Sequence, residues 1–273
     1  MSLISKERPL LLLGCGKMGY AMLTGWLESG IKADDIHVID PNADAQQYLK
    51  PLNVHIHNHI NDILLKPSIL LLAVKPQTLD NIKNELISLV APDSLVVSIA
   101  AGKNLLWLQS AFGDNQPIIR TMPNTPAQIK QAITALCANG NVNESQMLTA
   151  KTLLCSIGDV VIVDDESQMD AITALSGSGP AWVFLLTEAM EEAGIKQGLS
   201  PELAAKLARK TVEGAAALMA NDPNISPAIL RQNVTSPGGT TAAAMEILMG
   251  KGGWQNIIDT AMAASVKRSR ELS

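Results

Sequence analysis

The chain has 273 residues, with 21 Lys+Arg against 26 Asp+Glu and a formal net charge of −5, which argues against nucleic acid, a polyanion that selects basic faces. Hydrophobic residues make up 47% and charged residues 17%, so the chain can bury a large core and does not read as disordered. No apolar run approaches the roughly 18 residues that span a bilayer, no signal-peptide pattern opens the sequence, and three widely spaced cysteines, Cys15, Cys137 and Cys155, read as reduced thiols of a cytoplasmic protein rather than as disulfides or a metal site.

Up to residue 164, short apolar runs alternate with helical patterns. Residues 10–13, 36–39, 69–74, 95–99, 118–120 and 160–163 read as strands, with helices near 18–28, 78–89 and 144–156 between them. Continuous apolar runs of this kind suit strands covered on both faces. Strand–helix alternation predicts right-handed βαβ units and an open, doubly wound parallel sheet.

After Asp165 the strand signal stops. Helices are predicted over 167–175, 180–196, 201–220, 226–233, 240–249 and 254–270. Ser200-Pro201 and Ser226-Pro227 are N-caps with proline at the first helical position. The division is therefore a dinucleotide-binding α/β domain, 1–164, and an all-helical substrate-binding and dimerisation domain, 165–273. Ala181-Trp182-Val183-Phe184-Leu185-Leu186 leaves no polar face on its turn, and 240–249 carries one charge, Glu246. Helices apolar all round need cover on every side. A second subunit is predicted to supply it; the alternative is that they are central helices of the small domain.

Gly14-Cys15-Gly16-Lys17-Met18-Gly19 has the spacing G-x-G-x-x-G, directly after the first strand and at the start of a helix. The first glycine permits the turn, the second lets a diphosphate approach the backbone, and the third lets helix pack on strand. First-turn amides of Lys17 and Met18 and the helix dipole then favour the anion. Asp40 lies 21 positions after Gly19. A carboxylate there accepts from a ribose 2′-hydroxyl and repels a 2′-phosphate, and no Arg or Lys lies between Asp40 and Lys50, so Asp40 leans toward NADH over NADPH. The alternative is a plain Asp-Pro-Asn turn.

Further motifs sit at strand ends, where ligands of open α/β sheets bind. Ala73, Lys75 and Pro76 end one strand and approach the cofactor; a solvated lysine is the other reading of Lys75. Ala100 and Ala101 end the next strand, and their small side chains admit a flat ring. Met122-Pro123-Asn124-Thr125-Pro126 is a stiff loop in which Asn124 hydrogen-bonds either cofactor or backbone. Ser176-Gly177-Ser178-Gly179-Pro180 breaks one helix and starts the next. Ser236-Pro237-Gly238-Gly239-Thr240-Thr241 leads into an apolar helix, and its amides and hydroxyls make an anion site, or simply an N-cap through Ser236 or Thr240.

Ala73-Val74-Lys75-Pro76-Gln77, Ser98-Ile99-Ala100-Ala101-Gly102, Arg120-Thr121-Met122-Pro123-Asn124-Thr125-Pro126-Ala127, Leu175-Ser176-Gly177-Ser178-Gly179-Pro180-Ala181 and Ser236-Pro237-Gly238-Gly239-Thr240-Thr241 occur in this order with the glycine-rich opening. In these segments the chain resembles the pyrroline-5-carboxylate reductase family. The resemblance implies a Rossmann-type domain, then an all-helical domain that interlocks with a partner's, and a homodimer assembled further, often as a ring of five dimers (a decamer). It implies reduction of the small molecule 1-pyrroline-5-carboxylate to L-proline by NADPH or NADH, with neither membrane nor metal. It also implies that Thr241 donates to the imine nitrogen, that Ser236, Gly238, Gly239 and Thr240 surround the substrate carboxylate, and that Ser178 lines the pocket. The family often places an Asn ahead of the Ala-Val-Lys-Pro helix; Asn58-His59-Ile60-Asn61 is out of register with it. Two rivals stand beside this reading: a β-hydroxyacid dehydrogenase, which lacks its lysine after Gly179, and a dinucleotide-sensing subunit without turnover.

Overall fold

The computed structural model describes residues 3–272. They form two compact units, one running to Ser178 and taking up the chain again from Ser265, the other covering Gly179–Ala264.

The first unit contains, in chain order, β1 (Leu10–Leu13), α1 (Lys17–Glu28), β2 (Ile36–Ile39), α2 (Ala43–Leu49), β3 (His55–His57), β4 (Ile69–Leu72), α3 (Pro76–Leu86), β5 (Leu95–Ser98), α4 (Leu105–Phe112), β6 (Ile118–Met122), β7 (Ala132–Ala138), α5 (Glu144–Cys155), β8 (Gly158–Ile162) and α6 (Met169–Ile172). The strands form one sheet in the order β3-β2-β1-β4-β5-β6-β7-β8. β2 and β4 both run parallel to β1 on its two sides, so the order of strand addition reverses at β1 and the sheet is doubly wound around it.

Side chains alternate across a strand, and the sheet uses both faces. Leu10, Leu12, Ile36, Val38, Ile69, Leu71, Leu95 and Val97 pack with Met22, Leu23 and Trp26 of α1 and Leu153 and Leu154 of α5. Leu11, Leu13, Leu70, Leu72 and Val96 pack on the other side with Leu79 and Leu86 of α3 and Leu108 and Phe112 of α4. This is why the strands read as unbroken apolar runs. The buried Trp26 indole donates to the Leu153 carbonyl at 3.0 Å, which ties α1 to α5.

The sheet is not parallel throughout. β7 runs antiparallel to β6, and β8 pairs parallel with β7. The connection from Met122 to Ala132 is a single 3₁₀ segment, Thr125–Ile129. Antiparallel neighbours accept so short a link, whereas a parallel pair needs a longer crossover. Four elements carried no clear signal. β3 is a polar three-residue edge strand, His-Ile-His; β7 is built of small residues; α2 and α4 have only seven and eight residues. The expected break before Pro180 is narrow. α6 runs into a π-turn, Thr173–Gly177, and a single bend residue, Ser178, precedes α7; the small residues there tolerate the wider winding. Met169 at the head of this stretch is buried against Ala135 and Cys137.

The second unit holds α7 (Gly179–Lys196), α8 (Pro201–Asn221), α9 (Pro227–Asn233), α10 (Thr240–Leu248) and the start of α11 (Trp254–Leu272). Ser200 and Ser226 cap α8 and α9 as the sequence predicts. Within this unit the side chains that reach full burial among hydrophobics are Ala204 and Ala208. Phe184 is 67%, Leu185 64% and Ile247 77% exposed. An apolar cavity of about 620 Å³ opens between α7 and the α10–α11 corner, lined by Trp182, Leu186, Leu248, Trp254 and Ile258 among others. A single chain leaves these faces uncovered.

No helix among the described residues is long and apolar enough to cross a membrane. At the β2–β3 edge, His37 Nδ1 lies 3.0 Å from His57 Nε2 and the His37 ring is 4.5 Å from that of His55. Burial first, then the charges of His55 and His57, push the His37 pKa down to about 4. Between about pH 4 and pH 6.5 the unfolded chain therefore holds a proton that the folded chain lacks, so stability rises with pH across that window and is lost as pH falls through it. Denaturation midpoints measured from pH 4 to 7 will show this slope, and His37→Asn will flatten it.

Candidate functional site

The glycine-rich turn sits at the point where the sheet reverses direction. Gly14 N–H bonds the Ile39 carbonyl at 2.8 Å and Ala73 N–H the Leu13 carbonyl at 2.8 Å, so β1, β2 and β4 all end at this turn. Gly14 has φ +87°, and a Cβ there would lie 2.5 Å from Val74 Cγ1 and 3.0 Å from the Ala73 backbone. At Gly19 a Cβ would meet the Gly14 carbonyl at 2.7 Å, which is what allows α1 to seat on the turn. A Cβ at Gly16 would meet nothing within 4 Å. The open side of the turn is thus the side on which a diphosphate approaches, and the residues present fit a dinucleotide.

Helix starts separate the site from the scaffold. Among the described residues, eight α-helices begin from an extended N-cap residue. Asn42, Asn104, Asn143, Ser200 and Ser226 cap theirs with a side chain. The three without a side-chain cap begin at Gly16, Lys75 and Gly239, and none of them has an acid in its first turn. Uncapped first-turn amides and the helix dipole attract anions. All three starts fall in motifs singled out from the sequence.

The remaining positions divide. Asp40 Oδ2 accepts from Cys15 N–H at 2.7 Å and Oδ1 from Asn42 N–H at 2.9 Å, so the carboxylate is held by the glycine turn and by its own turn together. Its N–H bonds the His57 carbonyl, which brings the histidine edge up to the end of β2. Cys15 is fully buried, and burial, then Asp40, pushes its thiol up to about 12; it is no nucleophile. Lys75 is exposed and Pro76 opens α3. Ala100 is buried and Ala101 exposed at the end of β5. Asn124 is buried, with its amide oxygen on Ile133 N–H at 3.0 Å and its nitrogen donating to the Ser176 carbonyl at 3.3 Å. It therefore tethers the π-turn to β7. Arg120 pairs with Glu166 at 2.8 Å, a structural ion pair. Ser178 Oγ lies 3.3 Å from Ser265 Oγ.

In the second unit, Gly238 has φ +69° and Gly239 N–H bonds the Ser236 carbonyl at 3.0 Å. Neither Ser236 nor Thr240 caps α10; the N-cap is Gly239. The capping alternative thus gives way, and no side chain caps the first turn of α10. Thr241 is half-buried, and Ser236 and Thr240 are exposed. No group of three or more His, Cys, Asp or Glu among the described residues is placed to hold a metal.

Two family models match parts of the chain. Residues 166–272 match the family model described as pyrroline-5-carboxylate reductase dimerisation. Residues 10–102 match the model described as NADP oxidoreductase coenzyme F420-dependent. The pyrroline-5-carboxylate reductase of Synechocystis sp. is 40% identical over 96% of this chain and 97% of its own, and that of Pseudomonas aeruginosa 37% identical over 96% and 95%. The solved structure of a pyrroline-5-carboxylate reductase from Coxiella burnetii superposes with a TM-score of 0.89 at 33% identity, covering 98% of this chain and 99% of that one.

The glycine geometry makes a paired prediction. Gly14→Ala places a Cβ in the left-handed region against Val74 and will destabilise the fold by about 1–3 kcal/mol. Gly16→Ala meets no protein atom and will keep the wild-type melting temperature while weakening NAD(P)H binding. Thermal melts and fluorescence titration with NADPH on the two variants check both halves.

Proposed function

The chain belongs to the pyrroline-5-carboxylate reductase family, and on that premise we propose how its residues reduce 1-pyrroline-5-carboxylate to L-proline with NAD(P)H. The dinucleotide-binding domain is residues 1–164, and the substrate and dimerisation domain is 165–273. This boundary follows the end of the last strand, β8, at Ile162; the compact units divide later, after Ser178, and the chain returns to the first unit from Ser265.

The observation that carries the reading is the pair of anion cradles of one design, glycine N-caps at Gly16 and Gly239 with no side-chain cap and no acid in the first turn. Gly16, Lys17, Met18 and Gly19 hold the diphosphate through backbone amides, and Gly14, whose own N–H is spent on the Ile39 carbonyl, makes the turn that presents them. Ala73, Lys75, Pro76, Ala100 and Ala101 line the strand ends beside it, and Asp40 and Asn124 keep the surrounding turns in place. At Gly239 the anion is the substrate carboxylate, held by Ser236, Gly238, Gly239 and Thr240, with Ser178 as a further pocket residue.

The bound nicotinamide supplies the hydride. The protein's part is orientation, and holding two flat reactants in contact contributes roughly 7–11 kcal/mol. Thr241 sits in the first turn of α10, next to the carboxylate cradle. Its hydroxyl donates to the imine nitrogen, which orients the ring and makes the adjacent carbon electrophilic, and as hydride reaches that carbon the hydroxyl proton passes to the nitrogen and is replaced from solvent. No His, Glu or Lys is needed as a separate acid.

The chain is a homodimer through its helical unit, and the uncovered faces of α7, α10 and α11 are the surfaces that dimerisation buries. We extend this to a cytoplasmic decamer, five dimers in a ring, on the resemblance of the chain's motifs to the family. Native mass spectrometry will give a species near ten times the 29.0 kDa protomer; a dimer as the largest species overturns the decamer and leaves the enzyme reading intact.

Thr241→Ala will lower kcat/KM for the imine by roughly 10²-fold or more, the usual size of a lost proton-transfer partner, while the dissociation constant for NADPH stays at its wild-type value. Unchanged turnover removes Thr241 from the mechanism.

A further inference from the structure

Two side chains from the β2–α2 segment grip one residue of the glycine-rich turn from opposite sides. Cys15 N–H donates to Asp40 Oδ2 at 2.7 Å. The Tyr48 hydroxyl donates to the Cys15 carbonyl at 2.7 Å. A trans peptide is planar, so fixing a carbonyl also fixes the N–H on the other side of the bond. The Tyr48 bond therefore sets the plane that carries Gly16 N–H and turns that N–H away from Tyr48. The Asp40 bond sets the preceding plane, between Gly14 and Cys15. Gly16 has no side chain to restrain it, and glycine loses more conformational freedom on ordering than any other residue. An anion cradle centred on it gains from groups that fix its neighbours in advance.

Tyr48 does not owe its place to burial. It is 41% exposed, and a cavity of about 300 Å³ lined by Lys17, Tyr20 and Tyr48 opens beside it. Its ring meets that of Tyr20 on α1 edge-on at 5.1 Å, which holds the phenol in line with the turn. On the other side, both Asp40 oxygens accept backbone N–H groups, from Cys15 and Asn42, and the Asp40 carbonyl accepts from Gln46 Nε2 at 2.9 Å. One backbone N–H on each oxygen fixes the orientation of the carboxylate against the turn before any cofactor arrives.

We propose that Tyr48 and Asp40 are positioning residues of the dinucleotide cradle, aligning the peptide planes around Cys15 for the diphosphate, and that Asp40 consequently serves NADH and NADPH alike instead of discriminating between them. The proposal rests on the assignment of the Gly14–Gly19 turn to the dinucleotide. Sequence reading had no access to Tyr48, because α2 lacks a periodic apolar signal and the residue belongs to no motif.

The test is direct binding of NADH and of NADPH, followed by fluorescence, together with steady-state kinetics, on Tyr48→Phe and Asp40→Asn. Tyr48→Phe keeps the ring and loses one neutral hydrogen bond; both dissociation constants will rise roughly two- to tenfold, with kcat at saturating cofactor within twofold of wild type. Asp40→Asn loses a charged acceptor; both constants will rise roughly ten- to a hundredfold, and the NADPH-to-NADH ratio will stay within twofold. Melting temperatures measured alongside separate a loosened cradle from a loosened fold. Unchanged cofactor binding in Tyr48→Phe overturns the tyrosine's role. A tenfold shift of Asp40→Asn toward NADPH overturns the shared role and makes Asp40 the reader of the 2′ position. Wild-type protein that binds neither cofactor fails the underlying assignment instead, whatever the variants do.

Discussion

The close approach of Gly14 to Ala73 and Val74 is the constraint on which the nucleotide-binding unit depends. β1 and β4 are neighbours in register, and both stop there. A Cβ on Gly14 would occupy the space of the Val74 side chain, and a Cβ on Gly19 that of the Gly14 carbonyl. With both absent, α1 begins directly above the sheet, and its first-turn amides face the crevice where the winding reverses. The chemistry is possible because backbone, which carries no bulk, is brought to the place where a negatively charged diphosphate must lie.

The same solution recurs in the helical unit. A glycine in the left-handed region, Gly238, turns the chain so that Gly239 becomes the N-cap of α10. The other helices that start from an extended N-cap, apart from α3 at Lys75, are capped by an Asn or Ser side chain. A glycine in place of such a cap costs only about a few tenths of a kcal/mol, so the fold gives up little by leaving these amides open. On the proposed reading, redox chemistry asks little of ionisable side chains: the cofactor carries the electrons, and the protein's part is placement.

Scaffold residues that look catalytic in a sequence turn out to be tied down. Arg120 is neutralised by Glu166, whose carboxylate also accepts Leu105 N–H at 2.8 Å. Asn124 has both ends of its amide engaged with backbone. Lys103, directly after the Ser98–Gly102 motif, is buried against Asp80 at 2.6 Å and lies over the Trp107 ring at 4.6 Å. These groups stabilise the loops that follow β5 and β6, where a flat ring needs a firm surface.

Local pattern determined much of this protein. Strands β1, β4 and β5 were legible because burial on both faces demands near-continuous apolar runs, β2 and β6 from the apolar residues beside their polar ones, and the glycine spacing was legible because only glycine satisfies those steric limits. The helical C-terminal part was legible from its caps and its apolar turns. Tertiary structure alone decided the rest. The antiparallel turn of β7 and the edge strand β3 depend on neighbours distant in the chain, since small or polar residues become strands only when paired. The π-turn before α7 depends on Asn124 reaching back to Ser176. Whether Asp40 faces a ribose or the glycine turn is a matter of hydrogen-bond direction, which no spacing of residues encodes, and the part played by Tyr48 exists only once α2 is folded against α1.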